Sequence, residues 1–189
     1  FSIIPNKSKV LDLGCGNGEL LEALQSKKEA RVYGIEIDFD NVLECTSKGI
    51  SVFNGDLEEG LKEFSDKSYG FVILSQTLQQ IKNPLPVLLD MVRVGEIGIV
   101  SFPNFGFWKI RLKILFGRTP NTKTLPHPWY STPNIRVLTI QDFKDLCEAK
   151  GLLIVKEIPV FKNLFLRSVL PPFLTNFFSR KGLFLITKK

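Results

Sequence analysis

The chain has 189 residues, 44% hydrophobic and 23% charged, with a formal net charge of +6. At roughly 100–200 residues per domain this predicts one domain with its own core, and the composition excludes wholesale disorder. Three widely spaced cysteines (Cys15, Cys45, Cys147) and a single histidine, His127, argue against a disulfide framework and a histidine-based zinc site, so no metal is expected and the compartment is read as the reducing cytoplasm.

The apolar run Lys9–Leu13 closes on glycines and predicts a buried strand. A helix over 18–28 follows from Leu20, Leu21 and Leu24 at helical spacing, with Asn17 as its N-cap and Glu19 and Glu22 suited to its positive start. Residues 31–37 read as a second strand. Residues 40–48 read as a helix stopped by Gly49, and 50–53 as a third strand. Leu61 and Phe64 mark a helical turn, and Tyr69–Ser75 is a strongly apolar fourth strand. Pro84–Val94 is a helix with proline in its first turn, followed by a strand at 98–102. A helix at 139–150 is capped by Thr139 and stopped by Gly151, and strands at 152–158 and 183–187 complete the pattern. Strands alternating with helices predict a parallel sheet covered on both faces. Two stretches, about 103–138 and 160–181, break the alternation and read as insertions into the single domain 1–189.

No run of about 20 apolar residues exists, so no membrane span is expected. The chain begins at Phe1 without signal-peptide features, and some native N-terminal residues are expected to be missing. The charge is unevenly placed. Residues 97–141 and 158–189 hold twelve bases and no acid, which leaves the remainder at −6. Those basic, aromatic-rich stretches read either as solvated surface or as a positive face for an anionic substrate, an acidic partner or a phosphate backbone.

The most informative segment is VLDLGCGNG, residues 10–18. A strand enters a glycine turn and then a helix, an arrangement that lets backbone approach a ligand and offers free N–H donors. The dinucleotide fingerprint G-x-G-x-x-G fails because Glu19 stands where its third glycine belongs. The spacing D-x-G-x-G-x-G, with Asp12 two residues ahead of Gly14, suits a ligand without phosphates that carries an amino-acid end. Glu36, at the end of the second strand, can accept from both hydroxyls of a ribose. Asp56 and Leu57, after the third strand, suit an adenine amino group and ring. Three such sites at successive strand ends match where open α/β sheets bind ligands.

These residues resemble the class I S-adenosylmethionine-dependent methyltransferases: VLDLGCGNG their first motif, Glu36 their ribose acid and Gly55-Asp56-Leu57 their adenine motif. More narrowly, ILSQTLQ (73–79), SFPNFGFW (101–108), LPHPWYSTPN (125–134) and TIQDFKDLC (139–147) resemble the bacterial MetW family of methionine biosynthesis. The resemblance implies a Rossmann-like, seven-stranded, mostly parallel sheet with the last strand antiparallel. It implies S-adenosylmethionine held by Asp12, Gly14, Cys15, Gly16, Glu36, Ile37, Asp56, Leu57, Ser75 and Gln76. It also implies work alongside homoserine O-acetyltransferase, without implying a methyl acceptor.

The chain departs from the wider pattern. Gly70 stands where most methyltransferases place Asp, Ser75-Gln76-Thr77 replaces an N/D-P-P-Y motif, and few residues precede the first strand. Methyl transfer from a sulfonium needs alignment more than a base. Accordingly no catalytic residue is assigned; His127 reads as structural or surface. Gln76, Thr77, Gln79 and Gln80 either line an acceptor site or cap a helix start. Trp108, Trp129 and Tyr130 either cage a sulfonium, form a partner surface or fill the insertion's own core. The function read from the sequence is methyl transfer to a small acceptor. The alternative is a non-catalytic, cofactor-binding partner or regulator of homoserine O-acetyltransferase. Nucleic-acid methylation ranks last, with no appended binding domain.

Overall fold

The computed structural model describes residues 3–161, 171 and 174–189. Half of the second expected insertion, including Lys162 and Arg167, lies outside the described residues.

Seven strands form one sheet: β1 (Lys9–Leu13), β2 (Arg31–Glu36), β3 (Ser51–Asn54), β4 (Tyr69–Ser75), β5 (Gly95–Pro103), β6 (Leu152–Glu157) and β7 (Lys181–Lys188). Their spatial order is β3-β2-β1-β4-β5-β7-β6. The pairs from β3 to β5 are parallel, and β7 runs antiparallel to both β5 and β6. Central strands have near-continuous burial, as β1 and β4 show, because helices cover both faces. β5 is longer than its apolar run predicts. Gly95 pairs with Tyr69 and Pro103 with Lys181, so the neighbours extend it at both ends.

Helices α1 (Glu19–Lys28) and α2 (Phe39–Ser47) cover one face, with Leu21, Leu24 and Cys45 packed among Val10, Val32, Ile73 and Ile99. Helices α3 (Pro84–Val94) and α5 (Ile140–Ala149) cover the other, burying Leu88, Met91, Phe143 and Cys147 against Leu11, Leu74, Phe102 and Phe184. Each fully buried Leu or Phe contributes about 1.5–3 kcal/mol. Between them α4 (Trp108–Leu115) lies in the first insertion, and a short α6 (Thr175–Phe178) precedes β7.

Thr139 forms a full capping box with Asp142, as the Thr-x-x-Asp spacing permits. Asn17 is not the N-cap of α1. That position is Gly18, at φ 79°, a left-handed conformation that glycine adopts without steric cost, and Asn17 instead pairs with Glu19, accepting from its N–H at 3.4 Å and donating from Nδ2 to its Oε1 at 3.2 Å. Asp38 caps α2, accepting from the Asn41 N–H at 3.1 Å. The turn expected at Leu61 and Phe64 forms, the Phe64 N–H donating to the Leu61 carbonyl at 3.0 Å, and a 3-10 turn precedes it at Leu57–Glu59, started by Asp56, whose Oδ1 accepts from the Glu58 N–H at 2.9 Å.

One buried side chain joins the two acid-free stretches. Asn104, fully buried after β5, donates from Nδ2 to the carbonyls of Asn176 (2.7 Å) and Ser179 (2.8 Å). Its Oδ1 accepts from the N–H groups of Gly106 (2.9 Å) and Ile140 (3.2 Å). All four hydrogen-bonding directions of its amide are thus used.

Candidate functional site

The site grows from the turn after β1. The N–H groups of Gly14 and Cys15 both donate to the Ile35 carbonyl, at 2.8 and 3.1 Å, which fastens the turn to the end of β2. Gly14 has φ +72°, and a Cβ there would meet Thr77 Cγ2 at 2.7 Å. A Cβ on Gly16, at φ +54°, would meet nothing within 4 Å, so this backbone faces open space.

Glu36 is buried, 8% exposed, rather than a solvated strand-end acid. Its Oε2 accepts from the Gly16 N–H at 2.7 Å, and its Oε1 from the N–H groups of Ile37 and Asp38, both at 3.0 Å. A carboxylate offers about four acceptor positions, so Glu36 already braces the turn and keeps limited capacity for a ligand. Asp12 lies deeper, 2% exposed, and its Oδ1 has no hydrogen-bond partner. Burial first, and the charge of Glu36 second, push its carboxyl up to about 8, so it is mostly protonated at neutral pH.

A cavity of about 550 Å³ opens over the carboxyl ends of β1, β2, β3 and β4, within the size range of small-molecule sites. Gly14, Gly16, Glu36, Ile37, Asp56, Leu57, Ser75 and Gln76 all line it; Asp12 and Cys15 stand behind the wall. Gln80 and Thr77 line it as well. Gln76 has a left-handed backbone, φ 59°, a strained conformation for a non-glycine residue. It is held by bonds from its N–H to the Ser101 carbonyl (2.8 Å) and from Nε2 to Ser101 Oγ (3.1 Å). Asn41, Glu58, Ile81 and Lys82 also line the cavity and were missed. Asn41 and Glu58 each sit in the first turn after a strand end, a signal that the element order alone contains.

Gln79 is buried instead of lining the cavity; its Nε2 donates to the Gln76 carbonyl, and its own carbonyl accepts from Ile135 and Arg136, both at 3.0 Å. The first insertion is thereby tied to the segment after β4. None of the aromatic candidates reaches the cavity. Trp108 packs against Phe107, Ile110 and Leu125 in the insertion's own small core, while Trp129 and Tyr130 are about three-quarters exposed. The sulfonium-cage reading is therefore corrected. His127 is exposed and off the cavity wall.

The cysteines are closer than their spacing suggests. Cys15 and Cys45 sulfurs approach to 4.0 Å, both buried and free. Burial pushes both thiols up, away from the thiolate a nucleophile needs. Among the described residues no cluster of His, Cys, Asp and Glu could hold a metal ion, and no helix is long and apolar enough to cross a membrane.

The strand order, the glycine turn and the cavity above the strand ends define the fold of class I S-adenosylmethionine-dependent methyltransferases. The chain is similar to such a methyltransferase from Mesorhizobium loti (TM-score 0.70, 13% identical, covering 98% of this chain and 94% of that one). It is similar also to one from Archaeoglobus fulgidus (TM-score 0.66, 19% identical, covering 96% and 86%). At these identities the likeness is one of fold. Residues 1–186 match the family described as methionine biosynthesis protein MetW, and the chain belongs to that family. A bifunctional methionine biosynthesis protein MetXA/MetW from Rhodopirellula baltica is 39% identical over 168 residues, 84% of this chain. The chain spans 27% of that relative's length.

Proposed function

We propose that the chain binds S-adenosylmethionine in the 550 Å³ cavity and transfers its methyl group to a small acceptor in methionine biosynthesis. The observation that carries this reading is the pair of buried carboxylates, Glu36 on the wall and Asp12 behind it, beside the open space at Gly16. The charge of Glu36, with the protonated Asp12 behind it as a second acid that can ionise, suits a cation bearing hydroxyls better than a diphosphate. Glu36 accepts from the ribose, Asp56 and Leu57 hold the adenine, and Asp12 ionises when the ligand's ammonium arrives. The bound cofactor supplies an already activated methyl group. The chain therefore has to align the acceptor, which Gln76, Thr77 and Gln80 do with neutral hydrogen-bonding groups, and to exclude water. The first insertion, held at Gln79, and the stretch before β7, held at Asn104, act as one cover within a single domain.

Calorimetry tests the assignment. Glu36→Ala should weaken S-adenosylmethionine by tenfold or more, since a hydrogen bond to a charged acceptor contributes about 1.5–3 kcal/mol. Unchanged affinity, or wild-type preference for NAD, would overturn it.

A second reading is favoured by the fused relative. In it the chain is a cofactor-sensing partner of homoserine O-acetyltransferase, docked through the basic cover and the exposed Trp129–Tyr130 pair. Acetyl transfer by the copurified pair, assayed with and without S-adenosylmethionine, decides between them: a rate that follows the cofactor without methyl transfer supports the partner reading. Both readings place the protein in the cytoplasm, in keeping with three free thiols.

A further inference from the structure

We propose that the concavity between α4 and the turn at 117–125 is a second ligand site, for a small phosphoryl-bearing anion. It encloses about 340 Å³ and is walled by Lys109, Lys113, Lys123 and Arg180, with Thr122 and Thr124 among the remaining lining residues. It shares no lining residue with the cavity over the glycine turn.

Charge is the first argument. Four cations surround one small space, and the nearest stretches of sequence, 97–141 and 158–189, contain no carboxylate to neutralise them. Among the described residues none of the four makes an ion pair. Like charges gathered without a counter-charge repel, and a bound anion removes that repulsion.

Construction is the second argument, because surface lysines alone do not make a site. The turn is closed by paired backbone bonds between Thr122 and Leu125, each 3.0 Å, and Leu125 is buried in the insertion's core with Phe107 and Ile110. Lys113 Nζ donates to the Asn121 carbonyl at 2.7 Å, which holds α4 against the turn. Arg180 is fixed through its backbone, accepting from the Asn104 N–H at 2.9 Å and donating to the Val160 carbonyl at 3.0 Å. Its guanidinium lies 5.7 Å from the Phe107 ring centroid.

Donor count selects the ligand. Three ammonium groups, a planar guanidinium fork and two hydroxyls, 3.1 Å apart, exceed what the two oxygens of a carboxylate can use. A phosphoryl group offers three oxygens and up to two negative charges, and pairs well with both the Arg fork and Lys point charges. The volume sits near the lower end of ligand pockets, which favours a phosphomonoester or diphosphate over an extended polyanion.

The probe is inorganic pyrophosphate, titrated by calorimetry into the full chain at fixed ionic strength in chloride. One pyrophosphate should bind per chain. The pair Lys109→Ala and Lys123→Ala should weaken it tenfold or more, while the exposed control pair Lys150→Ala and Lys156→Ala leaves it unchanged. Thr124→Val, which keeps every charge, should weaken it by a smaller factor and guards against misfolding of the double variant. S-adenosylmethionine titrations should be the same in all of these proteins. Equal pyrophosphate affinity in the wild type and the double variant overturns the site, as does an equal response to added chloride. A short poly-glutamate peptide that outcompetes pyrophosphate overturns the small-ligand assignment in favour of a protein partner.

Discussion

The two cavities at the carboxyl edge of the sheet are opposites in charge and in construction. The larger rests on the ends of four strands and has two buried carboxylates at its base. The smaller is walled by cations and is made from a helix and a turn inserted after β5. Strand register fixes the first wherever the sheet forms. The second depends on side chains that join the insertion to the body, Asn104 above all. Position inherited from a sheet and position maintained by individual hydrogen bonds should fail differently, and substitutions can separate them.

The largest effect is expected at Asn104. Asn104→Ala leaves two buried N–H groups and two carbonyls without partners, and each unsatisfied group costs about 1–3 kcal/mol. Urea unfolding should show a loss of about 3 kcal/mol or more, and pyrophosphate binding should suffer more than S-adenosylmethionine binding. Equal losses at both cavities would mean that the edge behaves as one unit. Gly14→Ala should come next. The added Cβ would meet Thr77 at 2.7 Å in a left-handed backbone, costing about 1–3 kcal/mol and falling mainly on S-adenosylmethionine affinity.

Asp12 gives a smaller and more specific signature. Its folded value of about 8 lies above the ordinary 3.8, so between those values the folded chain holds a proton that the unfolded chain has lost. Stability therefore falls as pH rises across that window. In Asp12→Asn this contribution is absent, and the variant should gain on the wild type as pH rises from 4 to 8 in matched urea titrations. At pH 7, calorimetry in two buffers of different ionisation enthalpy should show proton release on S-adenosylmethionine binding by the wild type and not by Asp12→Asn. The variant's affinity should fall about tenfold, near 1.4 kcal/mol. The smallest effect on stability is expected at Trp129→Ser with Tyr130→Ser, within about 0.5 kcal/mol for an exposed pair. On the partner reading, association with homoserine O-acetyltransferase, followed by copurification, should nonetheless drop.

The same contrast explains what could be read from the residues in order. β1, β4 and α3 are legible to the residue because uninterrupted apolar runs and a first-turn proline mark buried strands and helix starts. The glycine turn, Glu36 and Asp56 were legible because strand ends put sequence-separated positions on one edge. Asn104 was not: its four partners lie at 106, 140, 176 and 179, and no local pattern announces a buried amide that joins them. The approach of Cys15 to Cys45 was hidden for a similar reason, since it follows from how α2 packs on the turn. The aromatic content of the insertion gave no sign of which rings face inward, and Phe107 and Trp129 are alike in sequence terms but opposite in exposure.

The position of β7 has a consequence for synthesis on the ribosome. β6 leaves the exit tunnel before β7, yet among the described residues its hydrogen-bonded neighbour in the sheet is β7. β7 in turn joins β5, from which α4, α5 and β6 separate it in sequence, with Ile186 opposite Gly98. The nascent chain can close the four strands around the glycine turn and β5 early, but β6 waits without a neighbour. At about 5–20 residues added per second, that wait is on the order of one to a few seconds. For that interval the edge of β5 and the apolar side of β6 are open to other chains, and distant strand pairing of this kind is slow. A ribosome stalled between residues 157 and 181 should therefore present the glycine-turn half with an unfinished sheet, the state most exposed to aggregation and to chaperones.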